Sequence, residues 1–339
     1  MKHLHGITSG LVALAVSGAA MAQDLKMATI APGSSAYLTM TTMATIVNGR
    51  LDDFEITVDA TGAATRHVVS LAEQELDFAM TSPTVHKFMS EGTRMYQQLS
   101  NAPELAEEIR LVLWFPYGAY HVLTYADSGI ESLSDLEGKT VFLGPPGGGA
   151  WATAQQWVEA QTGLKPEDDF TNFNGSWSSA FQAFQDRQID VYINGGIPPF
   201  PQVEQLTATS TLRILGPTKA EVEAMDEAKL APARVPGRAL DPIPVDVYGD
   251  GVVNTEDVYT VNSIVGVATR ASLGEETVYQ VTKAFWEGVE DIKDDAQWLQ
   301  NLSLDYAVQN GGLRLHPGAQ RYYREVGVDI PGASEAPAE

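Results

Sequence analysis

Histidine, serine and glycine are the first places to look for chemistry in this chain. Four histidines follow residue 22, His67, His86, His121 and His316, and none forms a His-x-x-x-His pair or a glutamate-linked zinc motif. Cysteine is absent, which excludes disulfides, thiolate zinc sites, thiol nucleophiles and iron–sulfur clusters together. No Gly-x-Ser-x-Gly turn occurs, so Ser34, Ser82 and Ser176 lack the strained elbow of a hydrolase nucleophile. Gly138-Lys139-Thr140 ends like a phosphate loop, but Leu133 stands where that motif needs glycine. Gly147-Gly148-Gly149 lacks the third glycine of a dinucleotide fingerprint and does not open the first βαβ unit. One metal pattern survives. Asp246, Asp250, Gly251, Asn254 and Asp257 match a calcium loop in spacing, with Tyr248 breaking one ligand position. Pro242 and Pro244 precede it and no clear amphipathic helix flanks it on both sides, so a turn leading into a strand at Tyr259 is the preferred reading.

Binding chemistry is better represented than bond-making chemistry. A helix start exposes unpaired amides and the positive end of the helix dipole, so the loops around Ser34, Thr61, Ser82 and Gly148 can hold a carboxylate without a lysine. Those four starts, with Ser35 and Gly149 beside them, are expected to converge on one cleft. Arg66 either adds a bidentate fork to the anion or is a solvated charge on a helix face. His67 would add a hydrogen bond or a pH-dependent charge. Tyr37, Tyr117, Trp151 and Trp177 either line the cleft or pack in the core, and Asn194 ends a strand before Gly-Gly-Ile-Pro-Pro.

The elements that would position these residues alternate. Leu25–Ile30, Glu55–Asp59 and Phe78–Met80 read as short strands, each followed by a helical pattern, and Ser82-Pro83 is a helix start with N-cap serine and proline at the first turn. Ile109–Trp114 and Tyr120–Tyr125 read as two strands on either side of Pro116-Tyr117-Gly118. Further αβ units run through Trp151–Thr162 and Ser178–Ile193, and Ala231–Asp250, rich in proline and glycine, reads as a crossing between domains. This order predicts an α/β fold with ligands at strand carboxyl ends.

Composition agrees with a folded chain of about two domains: 339 residues, 44% hydrophobic, 19% charged. With 21 basic against 44 acidic residues the net charge is −23, which argues against a nucleic-acid surface and means that an anionic ligand needs a local positive feature. At the amino terminus Lys2, His3 and His5 precede an apolar run from Leu11 to Ala20, followed by Ala20-Met21-Ala22, the pattern of a secretory signal peptide cut after Ala22. The tail from Pro331 to Glu339 is expected to be disordered.

Taken in order, Gly33-Ser-Ser-Ala-Tyr37, Thr61-Gly62, Leu71–Ala79, Asp127–Lys139, Gly144–Gly149 and His316-Pro-Gly-Ala-Gln-Arg-Tyr-Tyr-Arg-Glu325 resemble the TAXI family of TRAP-transporter solute-binding proteins. The last run is the most discriminating. The resemblance implies a periplasmic-binding-protein-like fold of type II: two α/β lobes joined by two hinge strands, closing on one small organic ligand. Residues 24–116 with 260–330 would form one lobe and 117–259 the other. It further implies a periplasmic receptor, without catalysis or cofactor, monomeric, that delivers a glutamate-like amino acid or a dicarboxylate to an integral-membrane TRAP permease. Ser34 and Ser35 stand where the family commonly has Gly and Thr, and Arg66-His67 where it often has Glu-Asn. The alternatives are a receptor for an ATP-driven (ABC) importer and a periplasmic enzyme on a similar bilobal fold; no paired acid and base can be assembled for the latter.

Overall fold

The computed structural model describes residues 22–331. The expected signal peptide, apart from Ala22, and the tail beyond Pro331 lie outside the described residues. Strand β1 (Gln23–Ala28), helix α1 (Ser35–Arg50), β2 (Phe54–Asp59), α2 (Ala64–Ala72), β3 (Phe78–Thr81) and α3 (Pro83–Ser90) follow the predicted alternation. Helix α4 (Ala102–Ala106) then leads into β4, which runs without a break from Ile109 to Tyr125. After it come β5 (Thr140–Phe142), α5 (Gly149–Thr162), β6 (Thr171–Asn172), α6 (Trp177–Gln185), β7 (Val191–Gly196), α7 (Pro201–Thr207) and β8 (Leu212–Ile214). The short helices α8 (Lys219–Glu223) and α9 (Glu227–Leu230) precede β9 (Arg238–Ile243) and β10 (Val258–Arg270). Helices α10 (Glu275–Ile292), α11 (Leu304–Ala307) and α12 (Pro317–Glu325) close the chain. Among the described residues no helix is long and apolar enough to cross a membrane.

The sheet order is β2-β1-β3-β10-β4-β7-β5-β6, with β8 added to β4 and β9 to β10. The two long strands carry the chain between two α/β lobes. In β4, the ladder to β10 runs from 109 to 119, while 119–123 pair with β7 and 123–125 with β8. In β10, residues 266–269 also pair with β3, while 258–263 pair with β9. Two strands were expected where β4 is one. Pro116 supplies no N–H, yet the ladder survives because the register slips between Ser263 and Ile264, leaving Tyr117 as an extra residue opposite β10. The Pro- and Gly-rich stretch read as a crossing contributes β9, an added strand on β10.

Helices pack on both sides of this sheet where small residues permit. A Cβ on Gly288 of α10 would stand 2.3 Å from Ile46 of α1, and one on Gly318 of α12 would stand 2.2 Å from the Glu275 carbonyl of α10. The His316-Pro-Gly run is therefore a packing device. His316 is buried, caps α12 by accepting the Gly318 N–H at Nδ1 (3.1 Å), and uses Nε2 to donate to Leu273 O at 3.0 Å. In the other half Phe142 and Tyr192 stack at 5.4 Å over a core shared with Phe184.

Candidate functional site

The place where β4 and β10 change partners is hollow. A cavity of about 60 Å³ lies there, walled by the starts of three helices and by residues of both long strands. Gly62, Ala63, Ala64 and Thr65 come from the start of α2, Ser82 to Val85 from that of α3, and Gly148 to Ala150 from that of α5. Their amides point to anion chemistry. In α5 the first intrahelical donor is Ala152, reaching Gly148 O at 3.2 Å, so the Gly149, Ala150 and Trp151 N–H groups precede the ladder. In α2 the ladder begins with Arg66 and His67 on Ala63 O, leaving the Ala64 and Thr65 amides ahead of it. In α3 the Ser82 hydroxyl already accepts the Val85 N–H at 3.1 Å. Gly149 brings the two helix starts close: a Cβ there would stand 3.0 Å from Val85 and 3.4 Å from Ser82 Oγ.

Tyr117, Tyr120 and Trp177 supply the aromatic wall. Residues three apart on a regular strand face opposite ways; the slip beside Tyr117 breaks that alternation and lets both tyrosines line one space. Tyr117 donates from its hydroxyl to Asn194 Oδ1 at 3.0 Å, and Asn194 donates in turn to Gln202 Oε1 at 2.9 Å. This buried network fixes the ring, and Gly195 makes room for it, since a Cβ there would lie 2.2 Å from two ring carbons. Burial pushes the Tyr120 phenol up from its ordinary pKa, while hydrogen bonding to Ser263, the nearby Arg238 charge and Thr153 draw it back.

Arg238, at the start of β9, is the cation of the site. Its Nη2 donates to Thr153 Oγ1 at 2.7 Å and to Thr84 Oγ1 at 3.1 Å, and both threonines line the cavity. Its Nη1 donates to Gln156 Oε1 at 2.8 Å, while Nε is buried without a partner. No carboxylate pairs with it among the described residues. The guanidinium stands behind the wall and lines an outer groove with His86 and Lys87 on its other side. Burial lowers its pKa from the ordinary guanidinium value, opposed by Tyr120.

Of the residues expected from sequence, Ser82, Tyr117, Gly148, Gly149 and Trp177 line this cavity; the others lie elsewhere. The start of α1 does not join the other three helix starts. Ser34 caps its own helix through the Tyr37 N–H at 3.1 Å, and Ser35 donates to Tyr117 O at 2.6 Å beside a separate groove lined by Pro198, Pro199 and Trp298. Tyr37 is half-buried outside both lined spaces. Thr61 is exposed and bound to Asp59 by its hydroxyl at 2.7 Å. Arg66 is exposed on α2 and absent from the wall. His67 is buried and donates from Nε2 to Thr61 O at 2.7 Å, fastening the loop; burial holds its pKa below the ordinary imidazole value. Trp151 donates to Asn172 and packs against the core, and Asn194 supports Tyr117 from behind. At Asp246, Asp250, Asn254 and Asp257, the calcium alternative, the local structure favours a turn. Residues 245–251 wind into tight turns, and Asn254 is engaged at both ends with Ile214, accepting its N–H at 2.8 Å and donating to its carbonyl at 2.9 Å. No group of three or more His, Cys, Asp or Glu side chains that could hold a metal occurs among the described residues.

Sequence reasoning missed Arg238, Thr84, Thr153, Tyr120 and Ser263. Thr84 and Thr153 had a legible signal, since each sits in the first turns of a helix already singled out. Arg238 had none: 85 residues separate it from Thr153 and 154 from Thr84.

Two α/β lobes linked by two long strands, with a cavity at the link, make up the fold of the periplasmic binding proteins. The solved structures agree: the alkanesulfonate-binding protein SsuA from Xanthomonas axonopodis pv. citri, bound to MOPS, is 17% identical over 89% of this chain and 83% of its own, with a TM-score of 0.50. A structure described as a periplasmic transporter is 13% identical over 89% and 92%, with a TM-score of 0.52. A TRAP periplasmic solute-binding protein from Sulfitobacter sp. NAS-14.1 with bound β-D-galacturonate is 11% identical over 91% and 88%, at 0.48. The chain belongs to the NMT1-like family, which matches residues 27–327.

Proposed function

We propose that this protein is a periplasmic receptor that captures a small organic anion between its lobes and delivers it to an integral-membrane permease of the TRAP type. Residues 24–116 with 260–330 would form one lobe and 117–259 the other, with Pro116–Gly118 and Ser263–Ile264 as the places where they bend. The observation that carries the reading is Arg238: a half-buried guanidinium with no carboxylate partner among the described residues, its Nε enclosed and unpartnered, bound to two hydroxyls of the cavity wall. Even partial burial of a charge without a counter-charge carries a cost, and an anionic ligand in the cavity would offset it. The amides at the starts of α2 and α5 would supply the remaining hydrogen bonds. The wall offers no nucleophile–base pair, which supports binding rather than catalysis.

Membership of the TAXI group rests on the ordered segments that end in His316–Glu325, and with it the TRAP permease as partner. Likeness in fold to the alkanesulfonate-binding protein favours an ABC importer as the second reading. Titration calorimetry with short organic acids tests the anion, with tight binding expected; binding confined to cations or neutral sugars would overturn it. Reconstituted uptake with each permease type, with and without ATP, separates the two partners.

A further inference from the structure

We infer that the ligand is a compact monoanion: one carboxylate on a small, neutral, largely apolar body, rather than an amino acid or a dicarboxylate. This rests on the anion-receptor reading and narrows it. Among the described residues, no side chain of Asp, Glu, Lys, Arg or His lines the cavity. An amino acid would bring an α-ammonium into a space that offers it no carboxylate and faces it with the positive ends of three helices and Arg238. Beyond the amides and hydroxyls the wall is Ile30, Met80, Val85, Ile264 and Val265, which suits a hydrocarbon body and leaves a second carboxylate without a charged partner.

The head would sit where Thr84 can donate to it. Thr84 Oγ1 accepts from Arg238, so its own hydrogen is free for an anion, whereas Thr153 already donates to Gly149 O at 3.0 Å. One guanidinium behind one such donor suits one anionic group.

The test is calorimetry on the mature protein with butanoate, 2-oxobutanoate, 2-aminobutanoate, glutamate, succinate and propanesulfonate at one pH and salt. The expected result is binding of butanoate or 2-oxobutanoate, with 2-aminobutanoate, glutamate and succinate at least ~100-fold weaker, since each adds a charge the wall leaves unpaired. Glutamate or succinate binding as tightly as the monocarboxylates would overturn the monoanion assignment while leaving the anion receptor standing. A preference for propanesulfonate would overturn the carboxylate head alone. Failure of every anion would overturn the anion receptor and this inference with it. An Arg238→Met variant run in parallel assigns the binding to this cavity: unchanged affinity there would remove the cavity from the account.

Discussion

Replacing Arg238 by methionine is the perturbation that most directly probes the site. Two effects on stability oppose each other. The substitution removes three hydrogen bonds from a charged donor, at 2.7, 2.8 and 3.1 Å, worth about 1.5–3 kcal/mol each. It also removes a half-buried cation without a counter-charge, a relief smaller than full burial would give. The net change in the ligand-free protein should therefore be a loss of about 2–5 kcal/mol, and Tm should fall by several degrees. Affinity should respond differently. A carboxylate that accepts from Thr84 Oγ1 would lie about 5 Å from the guanidinium, and at an effective dielectric of about 20 the attraction is about 3 kcal/mol, or on the order of 100-fold in Kd. Thermal melts with and without butanoate or 2-oxobutanoate, followed by calorimetry, read both numbers. A variant that stays folded and binds with unchanged Kd refutes the reasoning; one that loses its fold shows that Arg238 is chiefly structural.

Four other outcomes are expected. Arg66→Ala should bind like the wild type in the same titration, because the side chain is exposed and absent from the cavity wall. Gly195→Ala should cost about 1–3 kcal/mol in urea unfolding through overpacking against Tyr117 and should weaken ligand binding as the ring shifts. Asn254→Ala should cost about 1–3 kcal/mol by leaving Ile214 without its side-chain partner, while added calcium leaves Tm unchanged. His121 is fully buried and neutral, with Nδ1 donating to Ala119 O at 2.9 Å and Nε2 accepting from Tyr248 at 2.8 Å, and burial lowers its pKa to about 4. The unfolded chain takes up this proton first, so stability falls as pH drops from about 6.5 toward 4, by up to roughly 3 kcal/mol from this group. An NMR titration in which the His121 ring protonates near pH 6.5 in the folded protein would contradict this.

The sequence was most informative where a local rule decides the outcome. Ser82-Pro83 starts a helix because a serine cap and a fixed proline φ suit that position wherever the helix packs, and α3 begins there. Ser34 likewise caps α1, yet that local success did not disclose which space the helix start faces, because lobe packing sets that direction. Pro116 reads as a strand break because proline lacks a ladder donor; the bulge that absorbs it, with Tyr117 as the extra residue, is defined only against a partner strand about 150 residues away. Arg66 looked attractive because it lies beside a helix start, but its position on the helix surface points it to solvent. Arg238 sits in a stretch whose prolines and glycines read as connection, and only the assembled sheet brings it to Thr84 and Thr153.

The long strands also set an order of assembly. Leu111 near the start of β4 takes a hydrogen bond from the His316 amide at 2.8 Å, and the Tyr323 hydroxyl donates to Val112 O at 3.0 Å. Helix α1 likewise leans on α10 through Ile46 and Gly288. The half of the molecule made first on the ribosome is thus finished with residues made last, whereas most pairings among residues 117–259 are available earlier. During synthesis the amino-terminal strands must wait, with apolar faces uncovered, for the carboxyl-terminal helices, an interval in which they are exposed to aggregation or to a holding chaperone. A chain stopped before Pro317 would lack α12, and the half that suffers would be the one translated first.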